Sequence, residues 1–354
     1  MTSVPDFLAA RGARADADGI ADFGNPSSEW AAATTGAVVA DASSLGVLVV
    51  AGADAAAFLH GQLSSDVKRL ARGEGVWTSY NSPKGRMLAT AFICRPDVGP
   101  EDRFEALVAA DLAEAVRKRL AMFVLRSKVA IADDTAAWLR LGVGGPGAAD
   151  AVAKAFGQAP PAGGAVTHDE ARIVCLPDGR FVVLVPVAGA STVFDALARE
   201  AVPAGAPVWT WLGIRSGVPM VTAATQDRFV AQTANWDAIG GLDFHKGCYP
   251  GQEIVARTQY LGRLKERLFA YSTASSPPAP GSRLFGPPYG DQPCGTVVNA
   301  APDPGGGARF LAVVQVDAAG GPLALGAPDG PPATQEPLPY AIPPPGEARG
   351  RVRL

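Results

Sequence analysis

The sequence predicts an α+β protein that ends in a small β-barrel. Three observations carry that expectation. Apolar segments with strand spacing alternate with helical segments through the first part of the chain. A Ser82-Pro83-Lys84-Gly85 turn joins two of the strands as a hairpin. Beyond Gly281, short strand candidates recur between proline and glycine turns with no helical pattern among them.

Taken in order, Ala37–Ala51 contains a strand-like apolar segment. Asp54 is a candidate N-cap for a helical stretch carrying Leu59, Leu63, Val67 and Leu70, which Gly73–Gly75 ends. Val76–Asn81 and Arg86–Cys94 read as the strands of the hairpin. Asp111–Phe123 is amphipathic at helical spacing, and Val124–Ala132 returns as a strand. A second set follows: strand Ala137–Val143, helix Ala148–Phe156, strands Ala171–Leu176 and Phe181–Val187, and helix Thr192–Ala201. The run Ser272–Gly281, rich in serine and proline, reads as a linker or exposed loop. Strand candidates then lie around Arg283–Phe285, Gly295–Asn299 and Phe310–Asp317. The closing stretch, dense in proline and glycine, is expected to lack regular structure.

Composition bounds the function. A chain of 354 residues exceeds one core and should divide into two or three domains. Hydrophobic residues at 48% with charged residues at 18% fit a soluble globular protein. A formal charge of −3 argues against a general nucleic-acid binder. The charge is uneven. Residues 246–267 hold five basic side chains against two acidic ones, a local excess that suits an anionic ligand or a solvated helix end. Four cysteines (Cys94, Cys175, Cys248, Cys294) stand far apart, without zinc-ribbon or redox spacing. That usage fits a reducing cytoplasm. Three histidines are too few for a histidine-rich metal site, and no resident metal is expected. The N-terminus has no signal pattern, and no apolar run reaches the ~20 residues a membrane helix needs. A cytoplasmic monomer, off the membrane, is expected.

The densest chemistry lies at Lys246-Gly247-Cys248-Tyr249-Pro250-Gly251-Gln252-Glu253, with Arg257 four positions after the glutamate. Two glycines and a proline make its start a bent loop, while Gln252–Ala256 suits a helix on which Glu253 and Arg257 can pair at i,i+4. Cys248 is thereby expected near a helix N-terminus beside Lys246 and His245. Those conditions lower a thiol pKa from about 8.5 and make a nucleophile or soft-metal ligand. The alternative is packing, since cysteine is also a small buried hydrophobe.

The run Lys-Gly-Cys-Tyr-x-Gly-Gln-Glu-x-x-x-Arg resembles the signature of the YgfZ family, folate-binding proteins that support iron–sulfur proteins and are relatives of the glycine-cleavage T-protein, an aminomethyltransferase. Further blocks resemble the family in the same order: Phe58–Val67, Tyr80–Arg86, Leu125–Val129, Ile214–Pro219, then Phe229, Gln232, Asn235 and Gly240–Phe244. The resemblance implies an α+β, T-protein-like three-domain cloverleaf: two α+β domains and a C-terminal β-barrel around a central folate-sized opening. It implies a first domain from residues 1–45 with 135–262, a second from 46–134, and a barrel with its tail from 265–354.

The same resemblance implies binding of tetrahydrofolate or a derivative, and assistance to iron–sulfur cluster assembly or repair with an indirect effect on tRNA modification. The partners would be iron–sulfur proteins or assembly factors. Cys248 would be the reactive or metal-contacting thiol and Lys246 would stabilise its thiolate. Gln252 would pin the loop, and Glu253 with Arg257 would hold the helix. The folate contacts would come from Tyr80, Asn81, Lys84, Arg86, Arg126, Lys128 and Arg215. Each has a plainer reading: strand packing for Tyr80, a soluble hairpin tip for Lys84 and Arg86, and solvent exposure for Arg126 and Lys128. Arg215, in an otherwise apolar stretch, is expected to have a partner, structural or ligand. Trp209 and Trp211 read as core, with one indole lining a folate pocket as the alternative, and His60 reads as a satisfied polar residue. T-proteins place an acidic pair after the block matched by Tyr80–Arg86, whereas residues 82–96 here contain no Asp or Glu. Aminomethyl transfer is therefore not expected. Folate-dependent one-carbon transfer through another carboxylate, or a folate-free interaction module, remain the alternatives.

Overall fold

The computed structural model describes residues 6–16, 19–100, 102–260 and 264–342. They form two compact units. The first holds residues up to Phe58, Val67–Val76 and Ala91–Gly213; the second holds Leu59–Asp66, Trp77–Thr90 and the chain from Ile214. The strands Glu74–Asn81 and Met87–Arg95 run from one unit into the other.

In the first unit, a six-stranded sheet runs Ala165–His168, Ala171–Cys175, Phe181–Pro186, Trp138–Gly144, Val38–Asp41, Val202–Ala204. All its neighbours are antiparallel except Val202–Ala204 beside Val38–Asp41. Helices Ala148–Phe156 and Ala190–Ala198 cover it, with Val152, Phe156, Phe194 and Leu197 packed against Val143, Ile173, Val183 and Val185. A second antiparallel sheet takes in Leu45–Ala51, Arg103–Ala109, Ala130–Asp133 and the end of Met87–Arg95. Buried Glu105 on this sheet accepts from Arg103 at 3.0 Å and from Arg172 of the six-stranded sheet at 3.1 Å.

In the second unit, six strands close into a barrel: Glu266–Thr273, Ala308–Gln315, Pro293–Pro302, Arg283–Phe285, Leu323–Leu325 and Pro332–Glu336. Tyr271, Val297, Phe310, Ala312 and Val314 fill its interior.

Several elements depart from the sequence expectation. The apolar run 37–51 is two strands, broken where Asp41 turns its carboxylate onto the Ser43 N–H and hydroxyl. The helix after Asp54 stops at Gln62, and Asp54 accepts from the Lys128 N–H across a loop instead of capping it. Strand Arg103–Ala109 and helix Ala206–Arg215 were not anticipated; the buried indoles of Trp209 and Trp211 sit on that helix. The expected strand 124–132 begins only at Ala130. The preceding residues form a turn in which Leu125 takes the left-handed φ of 47°. The proline- and glycine-rich end is not irregular throughout: Leu323–Leu325 and Pro332–Glu336 supply the strands that complete the barrel. Among the described residues, no helix is long and apolar enough to cross a membrane.

Candidate functional site

The motif loop lies in the second unit and is built inward and outward in turn. Lys246 and Tyr249 are buried, whereas Gly247 and Cys248 are exposed. The Lys246 ammonium donates to the carbonyls of His60 and Leu63 and sits 4.8 Å from the centre of the Tyr249 ring. Those carbonyls lie at the C-terminal end of helix Ala55–Gln62, where backbone acceptors lack intrahelical donors and a cation is favoured. Lys246 is therefore a helix cap that anchors the loop. Where it was expected to steady a Cys248 thiolate, Lys246 donates two hydrogen bonds to the backbone, beneath an aromatic face. The Tyr249 phenol is pushed up to about 12, first by burial and then by Asp243.

After Cys248 the chain turns through Pro250 and Gly251. Gly251 has φ 79°, and a Cβ there would meet Ser82 O at 2.5 Å and Gly85 Cα at 2.7 Å. Gly85, at φ 70°, is likewise closed in by Ile254. Two glycines thus let the motif loop seat directly on the hairpin turn. The turn is itself fixed, with Gly85 N–H donating to Ser82 O at 2.9 Å and the Ser82 hydroxyl to Asp227 Oδ1 at 2.9 Å.

Helix Gln252–Tyr260 follows. Cys248 precedes it with three residues between, so the thiol is not on its first turn. Gln252 ties the loop through its backbone N–H to Tyr249 O, not through its amide side chain. The helix is held from beneath by buried Gln232, whose Nε2 donates to Val255 O at 2.7 Å. Glu253 and Arg257 are both exposed and no ion pair joins them, which corrects the expected i,i+4 lock. Their distance from the core leaves the Gln232 contact as the latch.

The expected basic region around 246–267 is thinner than its composition. Lys246 is internal. Arg267 is buried against Asp237 at 2.7 Å and donates to Gln232 O at 2.6 Å. Arg263 lies outside the described residues. Arg257 and Lys265 remain at the surface.

Of the other expected contacts, Tyr80 is buried and bridges to Leu63, the residue whose carbonyl takes Lys246. Its plainer reading, strand packing, describes it, and no open face is presented for stacking. Asn81 is only 1% exposed, yet neither its Oδ1 nor its Nδ2 has a partner. Ser79, two residues back on the same face of the strand, also buries an unpartnered hydroxyl. Lys84 is exposed at the hairpin tip, and Arg86 donates to Arg228 O at 2.6 Å. Arg215 is exposed at the end of its helix, not enclosed. Arg126 and Lys128 belong to the first unit, exposed in a turn where regular strand alternation does not apply. His60 places its Nδ1 2.9 Å from Asp66 Oδ1. Cys94, Cys175 and Cys294 are buried, and burial pushes each thiol up; Cys248 alone of the four is exposed. Among the described residues, no three His, Cys, Asp or Glu side chains are grouped to hold a metal ion.

Sequence reasoning missed the Gln232 latch, the Gly85–Gly251 contact and Asp227. Asp227 takes a left-handed φ of 57° while accepting from Ser82. Paired glycines in two motifs far apart in sequence were the available signal for the second.

The comparisons with known proteins agree on the class. A family model described as the GCVT N-terminal domain matches residues 22–163. The crystal structure of glycine cleavage system aminomethyltransferase T from Bartonella henselae superposes with a TM-score of 0.73 at 16% identity, covering 93% of this chain and 94% of that one. By fold, this is a GCVT-type protein with α+β layers and a C-terminal barrel. Curated relatives named tRNA-modifying protein YgfZ, from Enterobacter sp. (strain 638) and Klebsiella pneumoniae (strain 342), are each 33% identical. They match over 239 and 241 residues, or 66% of this chain and 72% of each relative. The chain belongs to the YgfZ family.

Proposed function

We propose that the protein binds a reduced folate and assists assembly or repair of iron–sulfur clusters, thereby supporting tRNA modification, with Cys248 as its reactive thiol. The observation that carries the thiol's role is its setting: an exposed cysteine on a loop anchored on both sides, by Lys246 and by the Gly251 turn. A lone cysteine does not hold a cluster, which needs about four thiolates, so client or assembly proteins supply the other ligands. The curated relatives' name, tRNA-modifying protein, supports the downstream effect.

The residues fit a folate at one point in particular. A buried amide without partners costs roughly 1–3 kcal/mol, so Asn81 is suited to a ligand edge that both donates and accepts, as a pterin does. Ser79 offers a hydroxyl on the same face. Lys84, exposed beside this strand's turn, suits a glutamate carboxylate. A bound reduced folate would supply a one-carbon carrier. The Asn81 amide would orient it, and the hairpin turn would hold its place. Transfer by the T-protein route is disfavoured because residues 82–96 carry no carboxylate and Asp227 is engaged by Ser82.

Two measurements test this. Calorimetry with tetrahydrofolate should give binding that Asn81→Leu weakens by about tenfold or more. In a deletion strain, Cys248→Ala should leave iron–sulfur enzyme activity unrestored. Equal folate affinity in the Asn81 variant sinks the ligand assignment; full rescue by Cys248→Ala sinks the thiol's role.

A further inference from the structure

From the turn after helix Ala113–Ala121, we propose a docking site for an acidic protein segment that carries a large apolar side chain. Met122, Phe123 and Leu125 are 63%, 43% and 88% exposed, three large apolar side chains within four residues. Phe123 and Leu125 border a shallow groove of about 650 Å³ that Asp54, Val124, Arg126 and Ser127 also line, and Met122 precedes them in the same turn. Such a volume falls in the range of sites that take a side chain or small ligand.

The turn is held in place, not loose. Phe123 N–H donates to Leu120 O at 3.0 Å and Ser127 N–H to Val124 O at 2.8 Å. Lys128 N–H donates to the Asp54 carboxylate at 2.7 Å. Within that frame Leu125 is kept at φ 47°, a left-handed conformation that disfavours any side chain larger than hydrogen. The leucine side chain, 88% exposed, adds little packing of its own to hold that conformation. A partner's apolar side chain would supply it.

Charge selects the partner. Arg126 and Lys128 are exposed and neither has an acidic partner among the described residues. The one acid lining the groove, Asp54, is engaged by the Lys128 N–H. An apolar patch with Arg126 in its lining and exposed Lys128 two residues on complements an acidic segment with a Leu or Phe anchor. Three apolar side chains and two cations are few for a stable membrane anchor, and a net charge of −3 does not suit RNA.

The test is selection of a random dodecapeptide display library on the full-length protein, followed by fluorescence anisotropy of the enriched peptides. The expected peptides carry acidic residues around one Leu or Phe. Their affinity should fall about tenfold with Leu125→Asn, which relieves the backbone while removing the anchor, and similarly with Arg126→Glu plus Lys128→Glu. Circular dichroism should show both variants folded; if either is not, Met122→Ser with Phe123→Ser replaces it with the same expectation. Enrichment of peptides without acids, or no enrichment, overturns the proposal, as does binding indifferent to these substitutions. Displacement of the peptides by tetrahydrofolate triglutamate, or Leu125-dependent sedimentation with phosphatidylserine vesicles or a tRNA, overturns it in favour of those ligands. None of these readouts depends on Asn81 or Cys248, so this site and the folate reading stand or fall separately.

Discussion

At the scale of single residues, the motif divides its labour by burial. Lys246 and Tyr249 face inward as anchors, and Cys248 is left exposed. A thiol's reactivity follows its exposure and thiolate fraction. The native protein should therefore show a single rapidly modified thiol with a chromogenic disulfide reagent, and Cys248→Ala should abolish that fast phase while denaturation still reveals the other three. A second fast thiol in the variant counts against the assignment. The Tyr249 phenol makes a pH prediction. Its folded pKa of about 12 lies above the ordinary value near 10, so the unfolded chain loses the phenolic proton first as pH rises. Stability is fully present below pH ~10 and is lost progressively toward pH ~12. Tyr289 and Tyr340 are also raised to about 12 and act in the same direction, Tyr289 chiefly through its bond to Asp317 and Tyr340 chiefly through burial. Absorbance titration at the phenolate band should show late-ionising tyrosines, one of which Tyr249→Phe removes.

At the scale of elements, two turns from distant parts of the chain meet glycine to glycine. Gly251→Ala adds a left-handed penalty to a clash with Ser82 O, a backbone atom that cannot move aside cheaply. We expect a loss of about 2 kcal/mol or more by denaturant titration, with unfolding cooperativity retained. A change under 0.5 kcal/mol, the level of an indifferent surface site, would contradict the contact. Helix Ala148–Phe156 was legible to the residue, because its apolar positions recur at helical spacing and Gly157 ends it at φ 79°. The hairpin was legible because Pro83 and Gly85 mark its turn. Strand Arg103–Ala109 was not, because Glu105 interrupts its apolar run. That carboxylate is internal only because Arg103 and Arg172 reach it, and a sequence does not show who pairs with whom.

At the scale of the whole molecule, the buried Arg267–Asp237 pair ties the first barrel strand to the segment before the motif, and Asn235 adds a bond from Nδ2 to Leu268 O at 2.9 Å. Both partners of the ion pair are 7% exposed, so removing one strands the other. Asp237→Ala should cost about 3–5 kcal/mol in chemical denaturation, whereas Asp237→Ala with Arg267→Met should recover much of that loss. Failure of the double variant to recover would mean that the Arg267 bond to Gln232 O carries the stability instead.

The sequence alone determined what local pattern can encode. Its alternation of strand and helix set the fold class, its ordered motif blocks set the family, and the Lys246–Arg257 run singled out the loop that carries the exposed thiol. Tertiary structure decided which way each of those side chains points. Lys246 was expected to serve the thiol and caps a helix; Glu253 and Arg257 were expected to lock a helix that Gln232 holds from another part of the chain. Asn81 looked like one amide in a strand and is distinguished only by having no partner once buried. The reason is physical: covalent order fixes which residues are neighbours along the chain, whereas burial and hydrogen-bond satisfaction depend on atoms brought from far away in it.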